Sequence, residues 1–364
     1  MSGPLSVSLI LPTRNEAFNI AEAVARAEKV LGAYAYEIII VDDDSPDGTA
    51  DIARKIASEN VRVRCIQRKG RRGLASACIE GALSAAGKVV VVMDADLQHD
   101  ESILPKLIEP VLKGEADISV GTRYDSEGGT DNWSEIREAQ SEFATRLARR
   151  FLNVSLSDPM SGFFAIRADD FRALIPRLSG RGFKILLDLV FAGPKDLRVN
   201  EVPFVFRGRE NGESKLDAPT AVQFLMMLYD RVFGHLVPAR FALFAFVGGL
   251  GVLVHMFVLT AVFQWGGASF LVGQSAAVMA AMTFNFFLNN MLTFSDVRLK
   301  GLALLRGWIV FCLVCGLGAI ANVGVASYLF SETNVMWTIS ALTGILIGAV
   351  WNYVMSSRFT WGRL

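Results

Sequence analysis

Cysteine, histidine and proline are scarce in this chain of 364 residues, which carries four Cys, three His and 11 Pro. Cysteines at 65, 78, 312 and 315 are too few and too scattered for a disulfide scaffold. Cys312 and Cys315 form a C-x-x-C inside an apolar run with no His or second pair beside it, so packing is expected there and not metal or redox chemistry. A net charge is missing as well: 36 basic and 36 acidic side chains cancel, which excludes nucleic-acid binding driven by a basic excess. A hydrophobic fraction of 52% excludes a disordered chain. The opening MSGPLSVSLILPTRNE lacks a basic stretch ahead of its apolar residues, so no cleavable signal peptide is expected and the charged part of the chain is expected in the cytoplasm. The first strand is followed by PTRNE, where a dinucleotide fingerprint or a phosphate-cradling G-x4-G-K-[ST] loop would need glycines.

Charge is also nearly absent from the last third. From Arg240 onward only Arg240, Asp296, Arg298, Lys300, Arg306, Glu332, Arg358 and Arg363 are charged, against 64 charged residues before them. The molecule therefore divides into a charged part with a small acidic excess and an apolar part with a small basic one. Four apolar segments, 240–263, 269–292, 307–330 and 336–355, are each about 30 to 37 Å long as helices, enough to cross a hydrocarbon core of about 30 Å. Basic residues occupy alternate joints: Arg231 and Arg240, then Arg298, Lys300 and Arg306, then Arg358 and Arg363, while 264–269 and 331–336 contain none. That alternation predicts both termini on the cytoplasmic side of a multi-pass membrane protein.

The apolar part repeats itself. Phe244, Gly249, Gly251, Phe284 and Asn285 match Phe311, Gly316, Gly318, Trp351 and Asn352 after a shift of 67, as Thr293 matches Thr360. One offset kept across two spans means a duplicated two-helix hairpin in parallel orientation. Glycines 248, 249, 251, 316 and 318 are expected to permit close helix approach, and Asn285, Asn289, Asn290 and Asn352 to link helices, with a lipid-headgroup role as the alternative. His255 is expected to be a packed or interhelical polar group. R-F-x(n)-G-G-L-G with the two Asn-containing endings resembles the four-helix GtrA-like membrane domains associated with polyprenyl-linked sugar transfer.

The charged part alternates strand and helix: SVSLIL, NIAEAVARAEKVL, EIIIVDD, RVRCIQ, a helix from about Leu74, KVVVVMDAD, a helix at Leu104–Leu112, then DISVGTR. This predicts a doubly wound, mostly parallel sheet with ligands at the carboxyl ends of its strands. Those ends are acidic: Asp42, Asp43 and Asp44 after the second strand, and Asp94-Ala95-Asp96-Leu97-Gln98-His99 after the fourth. Carboxylates one residue apart lie within about 7 Å along an extended chain, so both can face one hard cation that bridges a nucleotide diphosphate.

Taken in order from about residue 5 to 217, PTRNE, IIVDDDSPDGT, R-x-G-L-A, VVVMDADLQHD, GTR, DPMSGFF and G-x-S-K-L resemble inverting family-2 glycosyltransferases of GT-A fold, and within them the dolichol- or polyprenol-phosphate mannose synthases. Asp100 departs from the pattern, since many relatives have Pro after the His. The resemblance implies that Pro12, Arg14 and Glu16, with Val41 and Asp43, hold the nucleotide; Asp42 is the alternative to Asp43 if the register differs by one, and otherwise caps the loop at Ser45–Thr49. It implies that Asp94, Asp96 and Gln98, around Ala95, coordinate Mg²⁺ or Mn²⁺. Arg123, Arg137 and Lys215 match positions expected to bind acceptor or donor phosphates, with Lys184 and Arg207 as further candidates. His99 is expected to be structural, because a lipid monophosphate is already an oxyanion and needs no strong base.

The organisation expected is a catalytic domain at 1–217, an interface helix or linker at 218–238, and an all-α four-helix membrane domain at 239–364. Val222, Leu225, Met226, Tyr229 and Val232 have the spacing of an amphipathic helix, which either lies in the membrane interface or docks on the soluble domain. Residues 123–138 form either a loop that closes over the donor or an inert surface loop. The reaction expected is transfer of mannose from GDP-mannose to dolichyl or polyprenyl monophosphate. UDP-glucose is the alternative donor, and a lipid-linked-sugar flippase with a regulatory soluble part is the alternative from another class. A processive polysaccharide synthase would carry Q-x-x-R-W, which is absent.

Overall fold

The computed structural model describes residues 5–70, 73–124, 129–130, 146, 156–178, 185–208, 222, 225–226, 228–230, 233–234, 236–332 and 337–362. Two compact units divide the chain at Leu216/Asp217.

The first unit contains β1 (Val7–Thr13), α1 (Ile20–Leu31), β2 (Tyr36–Asp42), α2 (Thr49–Glu59), β3 (Val63–Gln67), α3 (Leu74–Ser84), β4 (Val89–Val92), α4 (Leu104–Leu112), β5 (Ile118–Thr122), β6 (Gly129–Thr130), β7 (Phe164–Arg167), α5 (Ala168–Leu174), α6 (Ile185–Ala192), β8 (Val199–Pro203) and β9 (Val205–Phe206). Seven strands form one sheet in the order β3-β2-β1-β4-β7-β5-β8, and β6 pairs with β9. Every residue of β1 and β2 is buried, as expected of strands covered by helices on both faces. Their alternating side chains divide between two cores: Leu9, Leu11, Ile38, Ile40, Val89 and Val91 pack on one face, and Ile10, Ile39, Val41, Val90 and Val92 on the other. Helix α1 buries Ile20, Ala23, Val24, Ala27 and Leu31, a stripe of helical period that seats it on the first of these cores.

Six strands of the large sheet are parallel, and β7 runs antiparallel between β4 and β5, with Val92 opposite Phe164 and Val120 opposite the same residue. The mostly parallel expectation is met, and the exception has a consequence. Because β7 runs the other way, the segment that enters it, Asp158–Phe163, lies at the edge where β1, β2, β4, β5 and β8 end.

The second unit contains α7 (Ala239–Leu259), α8 (Phe270–Leu288), α9 (Leu302–Glu332) and α10 (Trp337–Met355). π-Helical turns extend α7 over Thr260–Trp265, α8 over Asn289–Thr293 and α10 over Ser356–Thr360. Among the described residues three stretches are long and apolar enough to cross a membrane: Ala239–Trp265, Phe270–Thr293 and Leu302–Ile320, with mean hydropathies of 2.3, 1.5 and 2.1. The shift of 67 recurs in three dimensions. The turn at Asn289–Thr293 maps onto that at Ser356–Thr360. A Cβ built on Gly251 would stand 2.3 Å from Asn285 Oδ1, and one built on Gly318 would meet Asn352 Oδ1 at still closer range. Phe294 and Trp361, also 67 apart, stack at 4.0 Å between centroids and 9° between planes.

Only two of the five glycines singled out in the sequence thus lie against a neighbouring helix. A Cβ on Gly248, Gly249 or Gly316 would have no heavy atom within 4 Å, because these positions lie on other sides of their helices. The asparagines also divide. Asn290 accepts from the Leu299 N–H and the Trp361 indole and donates to the Leu299 carbonyl, a link between helix ends, whereas Asn289 bonds within its own helix to the Asn285 carbonyl and the Thr293 hydroxyl. His255 is half-buried, and all four cysteines are free thiols.

Candidate active site

Among the described residues three non-glycine residues adopt positive φ: Asn15 (58°), Asp44 (55°) and Leu97 (62°). They follow the carboxyl ends of β1, β2 and β4, which are neighbours in the sheet. Left-handed backbone at such residues is uncommon and costs of the order of 1 kcal/mol or more. Three adjacent strand ends carry it here, and the residues expected to act lie among them.

At the end of β1, Pro12 lies beyond the reach of β4, whose pairing with β1 stops at Ile10–Val92, so its missing N–H breaks no ladder bond on that side. Pro12 is opposite Val41 and Thr13 opposite Asp42 on β2. Glu16 accepts from the Asn19 amide at 2.8 Å, and its backbone N–H donates to the Thr49 hydroxyl, fastening the turn after β1 to the start of α2. Arg14 is exposed, and its charge helps to keep Asp43 ionised.

Asp42 and Asp43 take different tasks. Asp42, fully buried, accepts from the Ser45 N–H and hydroxyl and from the Thr13 hydroxyl, so it is the residue that caps the loop. Asp43 turns to the other side, where Arg68 Nη1 and the Gly73 N–H donate to its two oxygens at 2.5 and 2.6 Å. Burial raises its pKa, and the Gly73 N–H, Arg68 and Arg14 oppose that rise.

At the end of β4, Asp96 Oδ1 accepts from the Gln98 N–H, closing the tight turn in which Leu97 is left-handed. Ala95 is buried beneath the turn. Asp94 lies against Gly162 of the Asp158–Phe163 segment: a Cβ there would stand 2.9 Å from Asp94 Oδ2. Any side chain at 162 would displace this carboxylate. Gln98, 2% exposed, donates from Nε2 to the Arg207 carbonyl while the Arg207 N–H donates to the Gln98 carbonyl. The bond identifies Nε2 as the donor and leaves Oε1 as the acceptor end of the amide. Among the described residues no group of three or more His, Cys, Asp or Glu is placed to hold a metal by itself. Two carboxylates and an amide oxygen fit a magnesium-type cation, which keeps waters and takes the rest of its shell from substrate phosphates.

His99 is enclosed. Its ring stacks on Phe163 at 4.9 Å and meets Phe204 and Phe206 edge-on, while Nδ1 accepts from the Asp94 N–H. Burial pushes its pKa down to about 4, with Asp96 opposing and Arg123 reinforcing the shift. A neutral imidazole in an aromatic cage, holding the backbone of Asp94, is a structural group.

Arg123 donates from Nε and Nη2 to Asp158 at 2.7 and 2.9 Å, with the pair almost wholly buried, and its guanidinium lies 5.5 Å from the Phe206 ring centroid. Ser157 is fixed from the other side, its N–H donating to Glu201 on β8 at 2.8 Å. Arg207 bridges Asp100 and Glu101 at 2.9 Å each, which gives the Asp that replaces proline a partner. Arg137, Lys184 and Lys215 lie outside the described residues.

The sequence reading missed Arg68, Glu201 and the particular role of Gly162. Arg68 stands in the run QRKGRRG, where its neighbours give it the look of a solvated charge. Glu201 reads as an ordinary polar residue of a strand.

Residues 8–175 match the family model described as glycosyl transferase family 2, and residues 243–361 match the one described as GtrA/DPMS, transmembrane domain. Over 363 residues, 98% of this chain and 99% of the relative, the sequence is 36% identical to a dolichol-phosphate mannosyltransferase of Pyrococcus furiosus. It is 38% identical over 235 residues to a dolichol-phosphate mannosyltransferase of Saccharomyces cerevisiae, covering 62% of this chain and 86% of that one. Among solved structures, glucosyl-3-phosphoglycerate synthase from Mycobacterium tuberculosis, in complex with Mn²⁺, UDP-glucose and phosphoglyceric acid, aligns at 23% identity and a TM-score of 0.48, over 62% of this chain and 79% of that one.

Proposed function

The chain belongs to the dolichol-phosphate mannosyltransferase family, and from that premise we propose that it transfers mannose from GDP-mannose to a dolichyl or polyprenyl monophosphate at the cytoplasmic membrane face, releasing GDP. The observation that carries the reading is the placement of Asp43 just past the end of β2 and of Asp94 and Asp96 just past the end of β4, the two strands that flank β1, at one edge of the sheet. Residues 1–217 form the catalytic domain, 218–238 the interface segment, and 239–364 the membrane domain, with both termini cytoplasmic.

Pro12, Arg14, Glu16, Val41 and Asp43 hold the nucleoside. Asp94, Asp96 and Gln98 Oε1 hold Mg²⁺ or Mn²⁺, which when bound neutralises charge on the leaving diphosphate. Arg123 and Arg207 present guanidinium groups anchored on carboxylates, and Arg137, Lys184 and Lys215 add positive charge toward the donor and acceptor phosphates. An acceptor phosphate oxygen attacks the anomeric carbon as the bond to GDP breaks on the opposite face, so configuration inverts and the product is β-linked. The attacking oxygen is already deprotonated, and no residue need remove a proton. The caged, neutral His99 is consistent with this, because it is committed to the Asp94 backbone.

The test is to incubate the purified full chain with Mn²⁺, polyprenyl phosphate and, in turn, GDP-mannose, UDP-glucose and UDP-N-acetylglucosamine, and to identify the lipid product by mass. A hexosyl lipid phosphate from GDP-mannose is expected. Product from UDP-glucose alone would replace the donor, and no product from any of the three would overturn the reading.

A further inference from the structure

Arg68 is 2% exposed, and its guanidinium makes four hydrogen bonds within the protein: Nη1 to Asp43 Oδ1 at 2.5 Å and to the Gly73 carbonyl at 3.2 Å, Nη2 to the Ser76 hydroxyl at 2.6 Å, and Nε to Glu80 at 3.2 Å. Its backbone N–H donates to the Asp42 carbonyl at 2.8 Å, carrying the β2–β3 pairing one step past its last residue pair. A buried guanidinium is expensive to desolvate and is kept only where its bonds are filled. Here the acceptors come from two places, the end of β2 and the first turns of α3.

Gly73 joins the two. Its φ of +134°, a conformation that L side chains rarely adopt, lets one peptide turn serve both partners. The Gly73 N–H donates to Asp43 Oδ2 at 2.6 Å while its carbonyl accepts from Arg68. Each oxygen of Asp43 therefore has one protein donor, and each keeps a second acceptor direction. A carboxylate with 5% exposure and no such partners would be strongly disfavoured as an anion.

We propose that Arg68 is a positioning residue for the donor: its buried guanidinium orients the Asp43 carboxylate toward the donor ribose, and so sets nucleotide affinity and not the rate of the transfer step. This rests on the reading of Asp43 as a nucleotide-facing group. Arg68 acts through Asp43 and does not touch the nucleotide, because its donors are directed at Asp43, Gly73, Ser76 and Glu80.

A double-mutant cycle on the full-length protein in detergent tests this, with GDP binding measured by isothermal titration and with donor KM and kcat. Asp43→Asn and Arg68→Gln should each weaken GDP by about ten- to a hundredfold and raise donor KM, and in Arg68→Gln kcat at saturating donor should stay within about threefold. Arg68→Gln/Asp43→Asn should bind GDP no more weakly than Asp43→Asn alone, within about twofold. Arg68→Lys should recover part of the affinity, since it keeps one charged bond to Asp43 but not the fork. Multiplying losses in the double variant, or a fall in kcat with KM unchanged in Arg68→Gln, would overturn the proposal. Should Arg68→Gln fail to fold, Arg68→Lys and Ser76→Ala carry the test, and an unchanged donor KM in both sinks it. Undiminished GDP binding by Asp43→Asn would instead remove Asp43 from the nucleotide site, a failure of the functional reading and not of Arg68 alone.

Discussion

In the sheet-containing unit, the buried cations Arg68 and Arg123 each end on a carboxylate, Asp43 and Asp158, and every one of these four residues stands at or just beyond a strand end or in the segment that enters β7. In the helical unit, Asn285 and Asn352 end on the Cα faces of Gly251 and Gly318, and their buried side-chain oxygens have no hydrogen-bond partner. The contrast teaches what each kind of burial is for. A buried ion pair recovers little net stability over a well-packed apolar pair, because desolvation consumes most of the Coulomb energy. Such pairs fix the positions of charged groups at the strand ends. An amide against glycine gives up one hydrogen bond, and the glycine lets two helix backbones come close enough for dispersion to hold them together.

The contrast breaks most visibly at the strand ends. Asp94→Asn and Asp96→Asn should each lower lipid-product formation by at least about a hundredfold while the thermal melt of the detergent-solubilised chain stays at the parental temperature. A melt that collapsed with activity would make the carboxylates structural. Removing one partner of a buried pair comes next. Asp158→Ala leaves Arg123 uncompensated and should cost about 3 to 5 kcal/mol in unfolding, and adding Arg123→Leu should return part of that loss. Equal destabilisation in single and double variants would show that the two charges do not depend on each other.

In the helical unit the expected effects are smaller and differ in sign between neighbouring glycines. Gly251→Ala and Gly318→Ala push a methyl into an asparagine amide and should cost about 1 to 3 kcal/mol. Gly249→Ala and Gly316→Ala meet open space, and the helix propensity gained, about 0.5 to 1 kcal/mol, should stabilise. Melting temperatures of the four variants decide it, and a uniform sign would end the distinction between facing and non-facing glycines. The smallest effect is a dependence on pH at the opposite edge of the sheet. Burial favours protonation of Glu37, but bonds from the Ser8 hydroxyl, the Ala86 N–H and Arg64 outweigh it, so its pKa lies below the ordinary value of 4.5. The ionised form thus contributes stability that is fully present above pH 4.5 and is lost as the pH falls through the lower folded value. Unfolding curves of Glu37→Gln and parent should converge as the solution is acidified.

Much of this was legible in the chain. Helix α4 falls at Leu104–Leu112 as its spacing predicts, and the strands VSLILPT, YEIIIVD and VVVV are buried runs of the expected kind. The 67-residue offset is repeated in the structure, where Asn285 and Asn352 each lie against the matching glycine, Gly251 and Gly318. The antiparallel direction of β7 was not legible, because a four-residue strand reads the same in either sense and its direction depends on the route of the chain before it. Arg68 was not legible either, since a buried and a solvated arginine are the same letter until the fold brings acceptors from 5 to 25 residues away to meet it.

By itself, the sequence determined the division into a charged and an apolar part, the alternation of strand and helix, the duplicated hairpin, and the acidic residues delivered by hydrophobic strands. These follow from periodicity and composition, which act along the chain. Tertiary structure decided which of Asp42 and Asp43 caps the loop and which pairs with Arg68, which glycines touch, which arginines are anchored, and that Gly162 must leave room for Asp94. These depend on distances between residues remote in sequence, set by strand order and direction, and no local pattern encodes them.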